Sequence, residues 1–280
     1  MLHDYTSVTA ESVTEVTEAA ITEAESLLNE ALRAEKGRTY TNTISPLDTI
    51  GVLVSDASGE GSFMAKVHPD ADVRAAGVAA GERASKWATD LMMRPDLAVA
   101  VREYAATDDA AALRGLRARN LEFWLRDLRR AGHDLSEPDQ ARLRELRQRL
   151  IELQVAFNSN LNEWDDGIVM TRQDLAGLPE AYVERLEPGE AEGTYHVSME
   201  YPDYIPFIEE AENRDLRRQM QFKFWNRAAE ANTPLLEEAV AVRNEIAFLL
   251  GYDTWAEYAM EVKMADPDGV DALYESIIPG

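Results

Sequence analysis

A mainly α fold with one small β patch near residues 167–204 is predicted by three observations. Apolar residues recur at steps of three and four along most of the 280-residue chain. Helix starts and stops punctuate that pattern. A single stretch, from about Gly167 to Tyr204, switches to short β-branched and aromatic runs bounded by turn residues.

The elements follow in order. From Glu11 to Lys36, Val13, Val16, Ala20, Leu27, Leu28, Ala31 and Leu32 form an amphipathic stripe, and Gly37 is placed to end the helix. A second helix is expected over Pro46–Ser55, followed by a break at Ser58-Gly59-Glu60-Gly61-Ser62. His68-Pro69-Asp70 opens a long helix to Met93, Pro95 restarts one to Ala106, and Asp108 leads another through Arg130.

The next helix carries the clearest signals. Ser136 caps it, Pro138 lies in its first turn, and Glu137 and Asp139 favour the positive end of its dipole. Leu143, Leu146, Leu150, Leu153 and Phe157 then form a seam of about two and a half heptads. That seam fits a coiled-coil dimer or two antiparallel helices inside one domain. Its shortness favours the second, because two-stranded coiled coils sustain about three or four heptads.

Ile168–Thr171 and Thr194–Met199 read as strands. Between them lie a short helix start at Leu175–Glu180 and a turn at Glu187-Pro188-Gly189, and Tyr201–Pro206 closes the patch. Helices resume over Asn213–Ala229, Thr233–Leu250, Thr254–Met264 and Gly269–Ile278. Thr233-Pro234 makes a helix start and Gly251 a stop. The apolar arc of the second of these, from Leu235 to Leu250, is wide enough to belong in an interior.

Composition excludes several functions. With 52 Asp and Glu against 28 Lys and Arg, the net charge is −24, and only five residues are lysine. Nucleic acids and anionic membranes are therefore not expected partners, since both are held by cationic side chains. A cationic peptide is compatible with the field. The absence of cysteine removes disulfides, thiolate metal sites and cysteine nucleophiles. The first residues carry no basic and apolar leader pattern, and no stretch approaches 18 apolar residues, which points to a cytoplasmic protein.

Candidate chemistry is sparse. His3, His68, His133 and His196 are scattered, and none begins an HExxH motif, which places two imidazoles on one helix face. Asp165-Asp166, Glu209-Glu210-Glu212 and Glu237-Glu238 are paired carboxylates, but such pairs are expected in so acidic a chain. No G-x-S-x-G frame or phosphate-binding glycine loop is present, and Gly59-Glu60-Gly61 and Gly189 do not supply one. Tyr195, Tyr201 and Tyr204 with Pro202 and Pro206 fit either an aromatic wall for a peptide or ordinary sheet and corner packing.

An ordered series of segments carries a resemblance. It comprises Thr41-Asn42-Thr43-Ile44-Ser45-Pro46-Leu47-Asp48, the helix from Leu143 to Leu161, Gly177-Leu178-Pro179-Glu180 and Tyr201-Pro202-Asp203-Tyr204. It continues through Trp225-Asn226-Arg227 and ends with Arg243, Ala247, Leu249-Leu250-Gly251-Tyr252 and Trp255. The series resembles the N-terminal half of the thimet oligopeptidase, oligopeptidase A and neurolysin family of zinc metallopeptidases.

The resemblance implies a multi-helix lobe of a two-lobed enzyme that cuts short peptides in a deep channel. Residues 1–205 would form the N-terminal helical lobe with the β patch, and 206–280 the start of a peptidase catalytic domain, truncated before the zinc motif. In complete family members zinc is held by two histidines of HExxH and a later Glu, with the motif Glu activating water, all in the C-terminal half. No catalytic or metal residue is therefore carried onto this chain, and no substrate-binding residue is assigned. Zinc is expected in the complete enzyme and not in this chain alone. The expected partners are short peptides and a C-terminal half carrying HExxH. The competing expectation is a stand-alone helical peptide-binding or scaffold protein without the chemistry, and the apolar face of Val270, Leu273, Tyr274 and Ile277 bears on both.

Overall fold

A computed structural model describes residues 5–33 and 37–278. His3, the Lys36 end of the first helix, and Pro279-Gly280 lie outside the described residues. The chain divides into two compact units, Met1–Gln140 and Ala141–Gly280. Fourteen α-helices and three short strands are present among the described residues, matching the predicted fold class.

In the first unit α1 (Ala10–Arg33) leads to a π-helical turn, Tyr40–Ile44, then α2 (Ser45–Glu60) and α3 (Met64–Val67). α4 (Ala71–Met92), α5 (Pro95–Ala105), α6 (Asp108–Ala111) and α7 (Leu116–Ala131) follow. Ile21, Leu28, Ile44, Leu47, Val101 and Tyr104 are buried in one core. A local cap fixes the Thr41–Asp48 segment there. Thr39 Oγ1 accepts from the Asn42 N–H at 3.3 Å, and the Thr39 N–H donates to Asn42 Oδ1 at 2.8 Å. This reciprocal cap drives Thr43 and Ile44 inward, both essentially fully buried. Asn120 Nδ2 then bridges Asp48 Oδ2 at 2.8 Å and the Tyr40 hydroxyl at 3.0 Å.

Two expectations fail here for local reasons. The Ser58–Ser62 segment is not a loop throughout, since α2 runs on to Glu60 and turns only at Gly61. The helix expected over Asp108–Arg130 is broken into α6 and α7, because Gly115 adopts φ +61°, a conformation outside any right-handed helix.

α8 (Glu137–Asn162) starts as its capping residues predict, with Ser136 Oγ accepting from the Asp139 N–H at 3.4 Å. In the second unit β1 (Gly167–Thr171), α9 (Glu180–Glu184), β2 (Glu187–Pro188) and β3 (Thr194–Ser198) follow. The strands pair antiparallel in the order β1-β3-β2, with Gly167 opposite Ser198 and Thr171 opposite Thr194. Pro188, which cannot donate to a ladder, sits on edge strand β2. Met170, Val197, Met199, Tyr204, Phe207 and Met220 form the core beneath this sheet.

α10 (Tyr201–Glu210), α11 (Arg214–Trp225), α12 (Ala229–Leu249), α13 (Trp255–Met260) and α14 (Pro267–Ile277) complete the chain. α10 corrects the sequence reading, which ended the β patch there. Pro202 lies in its first turn, where no N–H is needed, and Pro206 leaves the Pro202 carbonyl without its helical donor. The Arg185 guanidinium donates to that carbonyl instead. Similarly, α12 starts before Thr233 and carries Pro234 inside it, with the Thr233 hydroxyl donating to the Ala229 carbonyl at 2.7 Å.

Candidate functional site

The segments carrying the resemblance prove to be a set of interlocking structural devices. Gly177 has φ +94°, and a Cβ there would lie 2.4 Å from the Glu210 carbonyl oxygen. The close approach lets the Glu212 N–H donate to the Ala176 carbonyl at 2.9 Å. Leu178 is buried, and Glu180, in the first turn of α9, pairs with Arg172. "GLPE" therefore clamps the loop after β1 to the end of α10.

The Arg243–Trp255 segment works in the same way. Gly251 takes φ +84°, so its N–H donates to the Phe248 carbonyl at 3.0 Å and the Tyr252 N–H to the Ala247 carbonyl at 2.9 Å. These bonds satisfy carbonyls that the end of α12 would otherwise leave open. Thr254 and Glu257 then cap α13 reciprocally, at 3.1 and 3.2 Å. The Trp255 and Tyr258 rings lie 4.9 Å apart, and the Arg243 guanidinium stands 5.6 Å from the Trp255 ring centre.

α8 and α12 pack antiparallel, as the short heptad seam favoured. Arg142 holds Glu245 at 2.6 and 2.9 Å, and Arg149 holds Glu238 at 2.6 and 2.8 Å, both bidentate. Hydrogen bonds from these guanidinium groups hold the Glu238 and Glu245 carboxyls below the usual carboxylate range. Beyond the ion pairs the Asn160 amide meets buried Asn232 at 2.9 Å. A half-open cavity of about 160 Å³ lies in the seam.

The other residues that the sequence singles out are dispersed. His68 accepts the Asp70 N–H on its Nδ1 at 3.1 Å, and His133 Nε2 lies 2.8 Å from the Met92 carbonyl oxygen. His196 is on β3, far in sequence from both and half-buried. Asp166 is engaged by Lys223 Nζ at 2.7 and 2.8 Å. Burial pushes its carboxyl up, but the Lys223 and Gly167 donors outweigh that and leave it below its ordinary value. Asp165, Glu209, Glu210, Glu212 and Glu237 are exposed.

The tyrosines do not form one wall. Tyr204 is buried and stacks on Phe224 with ring centres 3.8 Å apart, whereas Tyr201 is exposed and meets the edge of Phe224 at 5.7 Å. Arg227 covers Phe224 at 3.8 Å. Tyr195 packs elsewhere against the same core, on β3. Phe224 and Arg227 are the organising residues of this cluster. The recurrence of aromatics along α11 is the sequence signal for Phe224, and Arg227 is visible only as part of the Trp225-Asn226-Arg227 segment.

Among the described residues, no group of three or more His, Cys, Asp or Glu side chains could hold a metal ion. The described residues therefore offer no ligand set that a catalytic zinc would fit, and no reaction step is derived from them. No helix among the described residues is long and apolar enough to cross a membrane.

Comparison with known proteins places these devices in context. Residues 207–278 match the family described as Peptidase family M3. The chain is 26% identical to "Thimet-like oligopeptidase" of Dictyostelium discoideum over 79% of its own length and 33% of the relative's. It is 34% identical to "Oligopeptidase A" of Haemophilus influenzae over 52% of this chain and 24% of that one. Against "Saccharolysin" of Saccharomyces cerevisiae the identity is 26%, covering 73% of this chain and 30% of that one. The chain thus spans only about a quarter to a third of the length of these relatives. Residues 207–278, the end of α10 through α14, thus match Peptidase family M3, and most of the chain is similar in sequence to proteins named thimet-like oligopeptidase and oligopeptidase A.

Proposed function

We propose that this chain supplies the N-terminal part of a zinc-dependent oligopeptidase that hydrolyses short peptides, and that the chain alone is inactive. The match of residues 207–278 to Peptidase family M3 carries this reading. Residues 1–205 serve as the helical lobe and 206–280 open the catalytic domain. The ligands for zinc, and the Glu that activates water, come from a C-terminal half bearing HExxH. Zinc held there would supply the activation of water, and no step of that chemistry is assigned to residues of this chain. This chain's own contribution is the rigid frame of α8 and α10–α14 on which that half is seated.

Two observations bear on this reading. The relatives are about three to four times as long as the stretch they share with this chain. In α14, Leu273, Tyr274 and Ile277 are each more than half exposed, an apolar face of the kind that marks an interaction surface. The proposed setting is the cytoplasm, with neither nucleic acid nor membrane as partner.

The test is hydrolysis of a quenched short peptide by the purified chain, with and without zinc, and again with an added C-terminal fragment carrying HExxH. The reading expects no turnover by the chain alone and chelator-sensitive turnover in the mixture. Chelator-sensitive turnover by the chain alone overturns it. Peptide binding with no turnover in either case favours the stand-alone binding protein.

A further inference from the structure

The seam between α8 and α12 contains more than its ion pairs. Six apolar side chains line its cavity: Leu150, Leu153 and Phe157 from α8, and Leu235, Leu236 and Ala239 from α12. Leu153 is buried at the floor, whereas Leu236 is half exposed at the rim, so the cavity is open to solvent on one side. At about 160 Å³ it is close to the roughly 150 Å³ of a Leu, Ile and Phe-lined cavity that holds a benzene ring.

Two polar residues complete the lining, Gln154 and Arg243. Arg243 is the exceptional one. Its Nε is shut off from water and has no hydrogen-bond partner among the described residues. Its guanidinium is always charged, and a buried donor left unsatisfied carries its full desolvation penalty. The acids nearest in sequence on α12 do not relieve it, because Glu238 and Glu245 are held bidentate by Arg149 and Arg142. What Arg243 has is the Trp255 ring at 5.6 Å, which orients the guanidinium without supplying an acceptor.

We infer that this cavity is a binding site for a carboxylate bearing one bulky apolar group, with the apolar group in the seam and the carboxylate on Arg243. A planar guanidinium accepts a carboxylate through two parallel N–H···O bonds, and an apolar pocket beside it selects the attached group. Free aryl- or alkyl-carboxylic acids have this chemistry, and so does the C-terminal residue of a peptide ending in Phe or Leu. The inference stands on cavity and charge alone and is independent of the peptidase assignment.

Calorimetric titration of the full chain with 3-phenylpropionate, and with its neutral amide, tests the site. Saturable binding of the acid at millimolar concentration is expected, with the amide at least tenfold weaker. Arg243→Gln should lose at least tenfold in affinity. Ala239→Leu, which keeps the charge and fills the volume, should abolish binding with the circular dichroism melt unchanged, and it decides the matter should Arg243→Gln not fold. A peptide ending in Phe with a free carboxylate, set against its C-terminal amide, separates the two sources. Binding of the free-carboxyl peptide alone of that pair identifies the peptide terminus, and binding of only the small acid identifies the free acid. Equal affinity for acid and amide, undiminished binding by Arg243→Gln or Ala239→Leu, or no saturable binding of either acid or peptide overturns the inference.

Discussion

Asn160 Nδ2 donates to Asn232 Oδ1 at 2.9 Å, and Asn232 Nδ2 donates onward to the Phe157 carbonyl at 3.2 Å. Asn232 is only 4% exposed, so this relay is the buried polar pin of an otherwise apolar helix pair. A helix seam of leucines tolerates slippage, whereas a buried amide pair is satisfied in one register. Asn232→Ala should therefore cost about 1–3 kcal/mol in urea unfolding, since it leaves the Asn160 amide without its buried partner and removes the added donor to the Phe157 carbonyl. A loss below about 0.5 kcal/mol, within the range of a neutral surface change, would contradict the pin.

The ion pairs at the other end of the seam should give it a pH signature. Hydrogen bonds from Arg149 and Arg142 hold Glu238 and Glu245 below the usual carboxylate range. A carboxyl depressed in the folded state contributes stability above its unfolded value, near 4, and loses it as the pH falls through the lower folded value. Relative to the parent chain, Glu238→Gln/Glu245→Gln should melt lower at pH 7, and the gap should close below about pH 4. A gap of constant size through that range would show that the charges contribute nothing.

Gly177 offers a sharper test of the loop clamp. An alanine there must hold φ +94° and place its Cβ 2.4 Å from the Glu210 carbonyl oxygen. The backbone strain alone is worth about 1–3 kcal/mol, and the contact adds to it. Gly177→Ala should destabilise by at least about 2 kcal/mol in denaturant unfolding, whereas Gly193→Ala, where φ is +76° with open space, should cost only the backbone part. Equal losses at the two sites would remove the clamp from the account.

α10 survives its internal proline through Arg185, and this too is separable. The guanidinium serves the Pro202 carbonyl and, at 2.8 Å, Asp203 Oδ1. Arg185→Met should cost about 0.5–1.5 kcal/mol, the net worth of an exposed hydrogen bond. Pro206→Ala in that background restores the missing N–H and should recover part of the loss. No recovery in the double variant would mean that the Pro202 carbonyl is not what Arg185 satisfies.

Most of this architecture is legible in the sequence because helix period, capping residues and Gly stops act locally. Ser136, Gly251 and Thr254 each sit where their chemistry requires, and α8, α12 and α13 follow. What was hidden depends on tertiary partners. Tyr201–Pro206 reads as a turn because two prolines lie four apart, and only Arg185, 17 residues before Pro202, makes a helix tenable there. The helix expected over Asp108–Arg130 fails at Gly115, whose positive φ no local pattern announces.

The candidate site was less legible than the fold. Among the described residues, the histidines and paired carboxylates that draw the eye in the sequence form no metal-binding group, and many are exposed or engaged in ion pairs such as Asp166–Lys223. Arg243, among 28 cationic residues, becomes distinctive only when its neighbours on α12 are seen paired to α8 and it is not. Pairing across helices is a property of packing, and spacing along one helix cannot reveal it.

Equilibrium dialysis of the purified 280-residue chain against zinc tests the central claim most directly. A frame that leaves the metal ligands to another half should retain no tightly held zinc after dialysis. One zinc per chain, bound tightly enough to resist competition by a chelator, would mean that this polypeptide builds its own metal centre, and the half-enzyme account would be wrong.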